Sequence, residues 1–213
     1  MIPGMLDHAG YWVELDDFLD AVGVGTTRDG CAISLRGRGG SSAPDTGWTA
    51  DDHVGDIESV VSHLGIQRAL LVGWSAGGFY AAAFCAKHPS VVAGLVVGDY
   101  YPFLPQFGES WIEQAADLRT QLGFAERLPQ HIVRESVRTD LSSSLANYSG
   151  PILVLRGTQS GAMLASERAV ATWNRVPSAV VHEVDSGHEV FEHPAGQAAC
   201  ARLVLQIDAG DST

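Results

Sequence analysis

The chain has 213 residues, 46% of them hydrophobic and 18% charged, which predicts a single domain with a sizeable core. A formal net charge of −12 argues against nucleic acid and anionic membranes as partners and reads first as a solubility feature. Cys31, Cys85 and Cys200 are odd in number and far apart in apolar segments, so free thiols in a reducing, cytoplasmic setting are expected. Residues 1–20 carry acids and lack the basic and apolar regions of a signal peptide. The apolar run Val91–Val97 is too short to span a bilayer. No C-x-x-C or H-E-x-x-H spacing occurs, and neither metal nor cofactor is expected.

In chain order, strand and helix signals alternate, which predicts an α/β fold with a mostly parallel sheet flanked by helices. Trp12, Leu15, Leu19 and Val22 share one helical face, and Gly23 and Gly25 end that helix. Cys31–Leu35 reads as a short strand and residues 36–47 as a glycine-rich loop. Thr49 and Asp52 form a capping-box pattern before a helix that buries Val54, Ile57, Val61 and Leu64. Ala69–Val72 and Val92–Gly98 read as buried strands with an Ala-rich helix between them. Residues 102–148 hold three prolines and three helical stretches, with no strand evident; they read as a helical lid inserted into a core of residues 1–101 and 149–213. Ile152–Leu155 resumes the sheet, Ala165–Trp173 is a helix, Ala179–Val184 is the last strand, and Pro194 opens a closing helix.

The chemistry concentrates at Gly73-Trp74-Ser75-Ala76-Gly77, a G-x-S-x-G pattern between a predicted strand and a predicted helix. A serine there sits on a turn too sharp for flanking side chains, so Gly73 and Gly77 supply the room. The turn lifts the Ser75 hydroxyl above the sheet edge, and Ala76 opens the helix with its N–H free to meet a developing oxyanion. Gly187-His188 follows the last strand, where a neutral imidazole can take the serine proton and return it to a leaving group. His182, inside the strand, His193, before the helix, and His8, in the first loop, read as structural or surface positions.

With these motifs the chain resembles the α/β-hydrolase superfamily over essentially its whole length. Ile2-Pro3-Gly4-Met5 is similar to the family's oxyanion loop, with Pro3 where histidine is usual, and the resemblance implies that Met5 donates the first oxyanion N–H. Ser34-Leu35-Arg36-Gly37-Arg38-Gly39-Gly40-Ser41 is similar to the family's D-x-R-G-x-G-x-S turn, with Ser34 where aspartate is common. The family commonly places its acid after the next-to-last strand, but Arg156–Ala162 contains no carboxylate. Some relatives place it after the strand that follows the nucleophile helix, which selects Asp99; Asp185, three residues before His188, and a Ser–His dyad without an acid are the alternatives.

Trp74, Tyr100, Phe103 and Trp111 fall near the elbow or the lid, where they serve either core and lid packing or an apolar substrate pocket. The expected activity is that of a cytoplasmic, metal-independent serine hydrolase of a small to medium carboxylic ester, lactone or thioester. Ser75, His188 and Asp99 are its triad, and Met5 and Ala76 its oxyanion donors. A lyase or cofactor-free oxygenase on the same fold is the alternative within the class, and a catalytically silent ligand sensor the alternative outside it. The oligomeric state is left open. In the family about two and a half strands precede the oxyanion loop, whereas here only Met1 and Ile2 do. The expectation is either a shortened form of a longer protein or a sheet rearranged to close the central gap.

Overall fold

The computed structural model describes residues 1–26 and 28–211. After α1 (Val13–Ala21) and α2 (Ala50–His63) come β1 (Ala69–Trp74), α3 (Ala76–Lys87) and β2 (Val92–Gly98). The segment between β2 and the rest of the sheet holds β3 (Phe103–Leu104), α4 (Ser110–Leu122), α5 (Leu128–Glu135), β4 (Thr139–Asp140) and α6 (Ser142–Leu145). The chain closes with β5 (Ile152–Gly157), α7 (Glu167–Val170), β6 (Ala179–Val184) and α8 (Pro194–Asp211). Among the described residues the main sheet has four parallel strands in the order β1-β2-β5-β6.

The sheet is covered on both faces, and the two-residue period of its strands divides the core in two. Leu71, Leu95, Val97 and Val154 face α2 and α3, joining Phe79, Tyr80, Val54 and Ile57. Val72, Trp74, Val96 and Leu155 face the other way, joining Trp12, Leu15, Phe191 and Cys200 from the α1 and α8 side. All seven residues of β2 are buried, as its central place requires. Nine of the twelve residues of α3 are buried, so this helix is apolar nearly all round. The Thr49–Asp52 capping box forms at α2, and Gly23, at φ 87°, follows the end of α1.

Three expectations are corrected. Cys31–Leu35 is not a strand: among the described residues the only rungs on this stretch are Ile33 N–H to Met1 O at 3.1 Å and the Met1 ammonium to Cys31 O at 2.6 Å. An apolar run becomes a strand only where an edge is there to pair with it. The inserted segment does contain strand, the two-residue antiparallel pair β3–β4, too short to leave a periodic signal. Ala165–Trp173 divides into the four-residue α7 and a 3₁₀ turn over Ala171–Arg175.

The central gap is closed only at one end. Ile2 pairs with Gly73 in parallel, its N–H donating to Val72 O at 2.8 Å and its carbonyl accepting from Trp74 N–H at 3.1 Å. Below this rung a cleft of about 730 Å³ opens along β1, lined by Leu19, Ile33, Ile57, Leu71 and Val204 among others. Burial beside that cleft lowers the pKa of the Met1 ammonium to about 6. The closed end is the one next to Ser75, so the elbow is supported although the sheet is not continuous behind it.

Candidate active site

The register of the sheet sets the site. Trp74 lies opposite Gly98, Gly98 opposite Leu155, and Gly157 opposite Val184, so four strands end along one edge. Ser75 and Asp99 are the next residues on adjacent strands, and Ser75 N–H donates to Gly98 O at 2.8 Å. Both hold left-handed backbone, Ser75 at φ 53° and Asp99 at φ 45°, the only non-glycine residues among those described to do so. Each such conformation costs about 1–3 kcal/mol and persists only where surrounding structure enforces it. At the elbow the enforcement is close packing. A Cβ at Gly73 would run into the Gly77 carbonyl, and a Cβ at Gly77 into the Pro3 and Ile2 carbonyls.

Asp99 is fully buried and its carboxylate is saturated with donors. Oδ1 accepts from Gly157 and Leu164 N–H, both at 3.1 Å; Oδ2 accepts from Met163 N–H at 2.7 Å and from His188 Nδ1 at 2.7 Å. Four donors offset the several kcal/mol that an unpaired buried carboxylate costs. Gly157, at the end of β5, and Met163 and Leu164, beyond it, supply three of these N–H groups. This stretch is braced by Arg156, which donates to Leu164 O and Ala165 O at 2.9 Å each. Asp185 lies apart and accepts from the Gln159 side chain at 3.2 Å.

Because Nδ1 of His188 donates to Asp99, Nε2 is left as the basic nitrogen on the other side of the ring. Trp74 pins this histidine: its indole N–H donates to His188 O at 2.9 Å, and the two rings lie 4.9 Å apart. Tyr11 stacks on Trp74 at 4.3 Å and donates its hydroxyl to Glu189 at 3.2 Å. Burial and the neighbouring Glu192 raise the pKa of Glu189. Among the described residues no hydrogen bond joins Ser75 Oγ to His188; such contacts commonly tighten only when substrate arrives. Neither Met5 N–H nor Ala76 N–H has a partner among the described residues, and Gly4 packs against Trp74 and Ser75.

The four expected pocket aromatics separate. Trp74 lies beside His188 and belongs to the core cluster that holds Val96 and Phe191. Tyr100 is buried in the larger core cluster, its carbonyl accepting from Trp173 at 2.9 Å. Phe103 is half-buried, stacked on Tyr101 at 4.8 Å, and Trp111 is half-buried against Phe107 at 4.8 Å. His8 caps the 3₁₀ turn Ala9–Trp12, and His193 accepts from Ala195 N–H at 3.2 Å. Sequence reasoning missed the seat of the inserted segment: Glu135 accepts from Gly47 and Trp48 N–H at 3.0 and 2.7 Å, and His131 stacks on Trp48 at 5.1 Å.

Residues 1–99 match the family model described as alpha/beta hydrolase fold. The chain is 24% identical over 184 residues to 2-(acetamidomethylene)succinate hydrolase of Mesorhizobium japonicum, covering 68% of this chain and 66% of that protein. It therefore spans just under two thirds of that curated relative. A hydrolase of Pseudomonas aeruginosa superposes with a TM-score of 0.71 at 18% identity, over 97% of this chain and 87% of that one. An esterase of Exiguobacterium antarcticum superposes with a TM-score of 0.73 at 15% identity, over 98% and 92%. The elbow, the order of the strand-end residues and these likenesses show that the chain has the α/β-hydrolase fold.

Proposed function

We propose that this chain is a cytoplasmic serine hydrolase of a small to medium carboxylic ester, lactone or thioester. The observation that supports the reading is the sheet edge where Ser75 and Asp99 end adjacent strands, with the Asp99–His188 bond at 2.7 Å and, among the described residues, no partner on Met5 or Ala76 N–H. A ligand sensor has no need of an imidazole oriented by a buried carboxylate, so a catalytic reading is favoured. Three unpaired cysteines agree with a reducing compartment. Residues 102–148 act as a lid seated through Glu135, with Phe103 and Trp111 offering apolar surface to the substrate.

Ser75 Oγ attacks the carbonyl carbon while its proton passes to His188 Nε2. Met5 and Ala76 N–H groups bind the oxygen as it becomes negative. Asp99 holds the imidazole in the tautomer that can accept and stabilises the imidazolium that forms. The tetrahedral intermediate collapses, the carbon–oxygen bond to the alcohol breaks, and His188 gives the proton to the leaving oxygen. Water then attacks the acyl-enzyme, passing a proton to Nε2. The acid leaves as the Ser75–acyl bond breaks and Oγ regains that proton.

The test is turnover of p-nitrophenyl acetate, butyrate, octanoate and dodecanoate. We expect hydrolysis of the first three and a fall at dodecanoate. Absence of turnover on all four overturns the reading.

A further inference from the structure

Arg38 is the residue of the glycine-rich turn that the proposed mechanism leaves without a task. Its side chain is fully buried, yet among the described residues it has no carboxylate partner within ion-pair distance. Burial lowers its pKa to about 10. Its neighbour Arg36 is paired with Asp56 in the ordinary way. Arg38 instead spends its donors on main-chain carbonyls: Nε and Nη2 on Met5 O at 2.8 and 2.5 Å, and Nη1 on Arg36 O at 2.6 Å. Nη1 also lies 2.8 Å from His53 Nε2.

Arginine has no lone pair to give, so His53 Nε2 is the acceptor. His53 Nδ1 then carries the hydrogen and donates to Thr49 O at 2.8 Å in the first turn of α2. Burial first, and Arg38 second, lower the His53 pKa to about 3, so the imidazole is neutral. Tyr80 stacks on its face at 4.6 Å, nearly parallel, and gives its hydroxyl to Met5 Sδ at 3.4 Å. A buried cation held by a neutral ring, with Nε and Nη2 on one carbonyl, costs desolvation that an apolar side chain would avoid.

We propose that Arg38 is a positioning residue for the oxyanion loop: the Thr49–His53–Arg38 relay fixes the Met5 carbonyl and thereby the direction of the Met5 N–H. The proposal rests on the esterase reading above. Two bonds to one carbonyl oxygen restrain the plane of the Met5–Leu6 peptide and so anchor the loop next to the Met5 N–H. Oxyanion donors act only when held within a fraction of an ångström of the developing charge.

The experiment compares wild type with Arg38→Met, Arg38→Lys and His53→Phe. Three quantities are read: kcat and KM on p-nitrophenyl butyrate, the inhibition constant of a trifluoromethyl ketone that forms an oxyanion on the serine, and hydrogen exchange of residues 4–7. Asp7 N–H, bonded to Gly4 O at 3.2 Å, reports the turn in that peptide. For Arg38→Met we expect kcat to fall roughly 10²-fold with KM near wild type, as for loss of an oxyanion donor. The ketone should weaken in step and exchange should quicken. Arg38→Lys should recover part of the loss, and His53→Phe, which keeps the ring stack, should show a smaller one.

Wild-type kcat and ketone affinity in folded Arg38→Met overturn the proposal. So does a rise in KM with kcat unchanged, the mark of a substrate contact. If Arg38→Met does not fold, wild-type values in both Arg38→Lys and His53→Phe overturn it. If the wild type itself turns over no ester, the esterase reading fails separately and exchange decides the positioning: quickened exchange in the variants supports it, and unchanged exchange overturns it.

Discussion

Ser75→Ala should reduce ester turnover by roughly 10⁴–10⁶ in kcat while leaving the fold intact, because the nucleophile of a triad accounts for most of its rate. The fold should survive because the elbow is enforced by its surroundings. The close approach of Gly73 to Gly77, and of Gly77 to the Pro3 and Ile2 carbonyls, does not involve the serine hydroxyl. Alanine at φ 53° carries the same backbone strain as serine. His188→Ala should lose turnover to a similar extent. His182→Ala and His193→Ala should chiefly change stability. The measurement is kcat on p-nitrophenyl butyrate together with circular dichroism of each purified variant. More than about a tenth of wild-type turnover in folded Ser75→Ala would leave several kcal/mol of barrier lowering unaccounted for and exclude the serine mechanism.

Asp99→Asn should lower kcat by roughly 10²–10⁴, since an amide neither stabilises the imidazolium nor holds the accepting tautomer. A stability loss should accompany it. The carboxylate accepts four bonds, three from main-chain N–H groups, and an asparagine must turn its NH₂ toward some of those donors. Each buried group left unpaired costs about 1–3 kcal/mol, visible as a lower melting temperature. Asp185→Asn, which disturbs only a contact to Gln159 at the surface, should leave both quantities near wild type. The reverse ranking of the two variants would move the acid to Asp185, and small equal effects would favour a Ser–His dyad.

The parts of the fold legible in the sequence are those whose cause is local. The alternation of buried runs with capped helices gives a parallel sheet without any knowledge of long-range contacts, and the elbow announces itself through two glycines at fixed spacing. Asp99 is selected by the missing carboxylate in Arg156–Ala162 together with the resemblance to relatives that carry their acid after the preceding strand, and Gly157, Met163 and Leu164 supply the N–H groups around it. The face of Trp74 was also readable: two residues after Val72, it must share the α1 and α8 side, away from the helix that its own motif begins.

What was illegible depends on partners distant in sequence. Cys31–Leu35 has strand composition, but its hydrogen bonds require an edge that Met1–Ile2 provides at one end only. The β3–β4 pair joins residues more than thirty positions apart in two-residue pieces. The contact of Arg38 with His53 spans fifteen residues, and that of Arg38 with Met5 thirty-three. In the sequence Arg38 is one more residue of a glycine-rich turn. Only burial, with donors aimed at one carbonyl, separates it from its paired neighbour Arg36.

The central claim is that Ser75 is a nucleophile activated by His188 and served by an oxyanion hole. The most direct measurement is labelling of the native chain with a fluorophosphonate, located by peptide mass spectrometry and repeated on His188→Ala. The account predicts one phosphonyl group per chain, on Ser75, formed rapidly in wild type and very slowly in His188→Ala. No adduct on Ser75, or an adduct formed equally fast without His188, would contradict it.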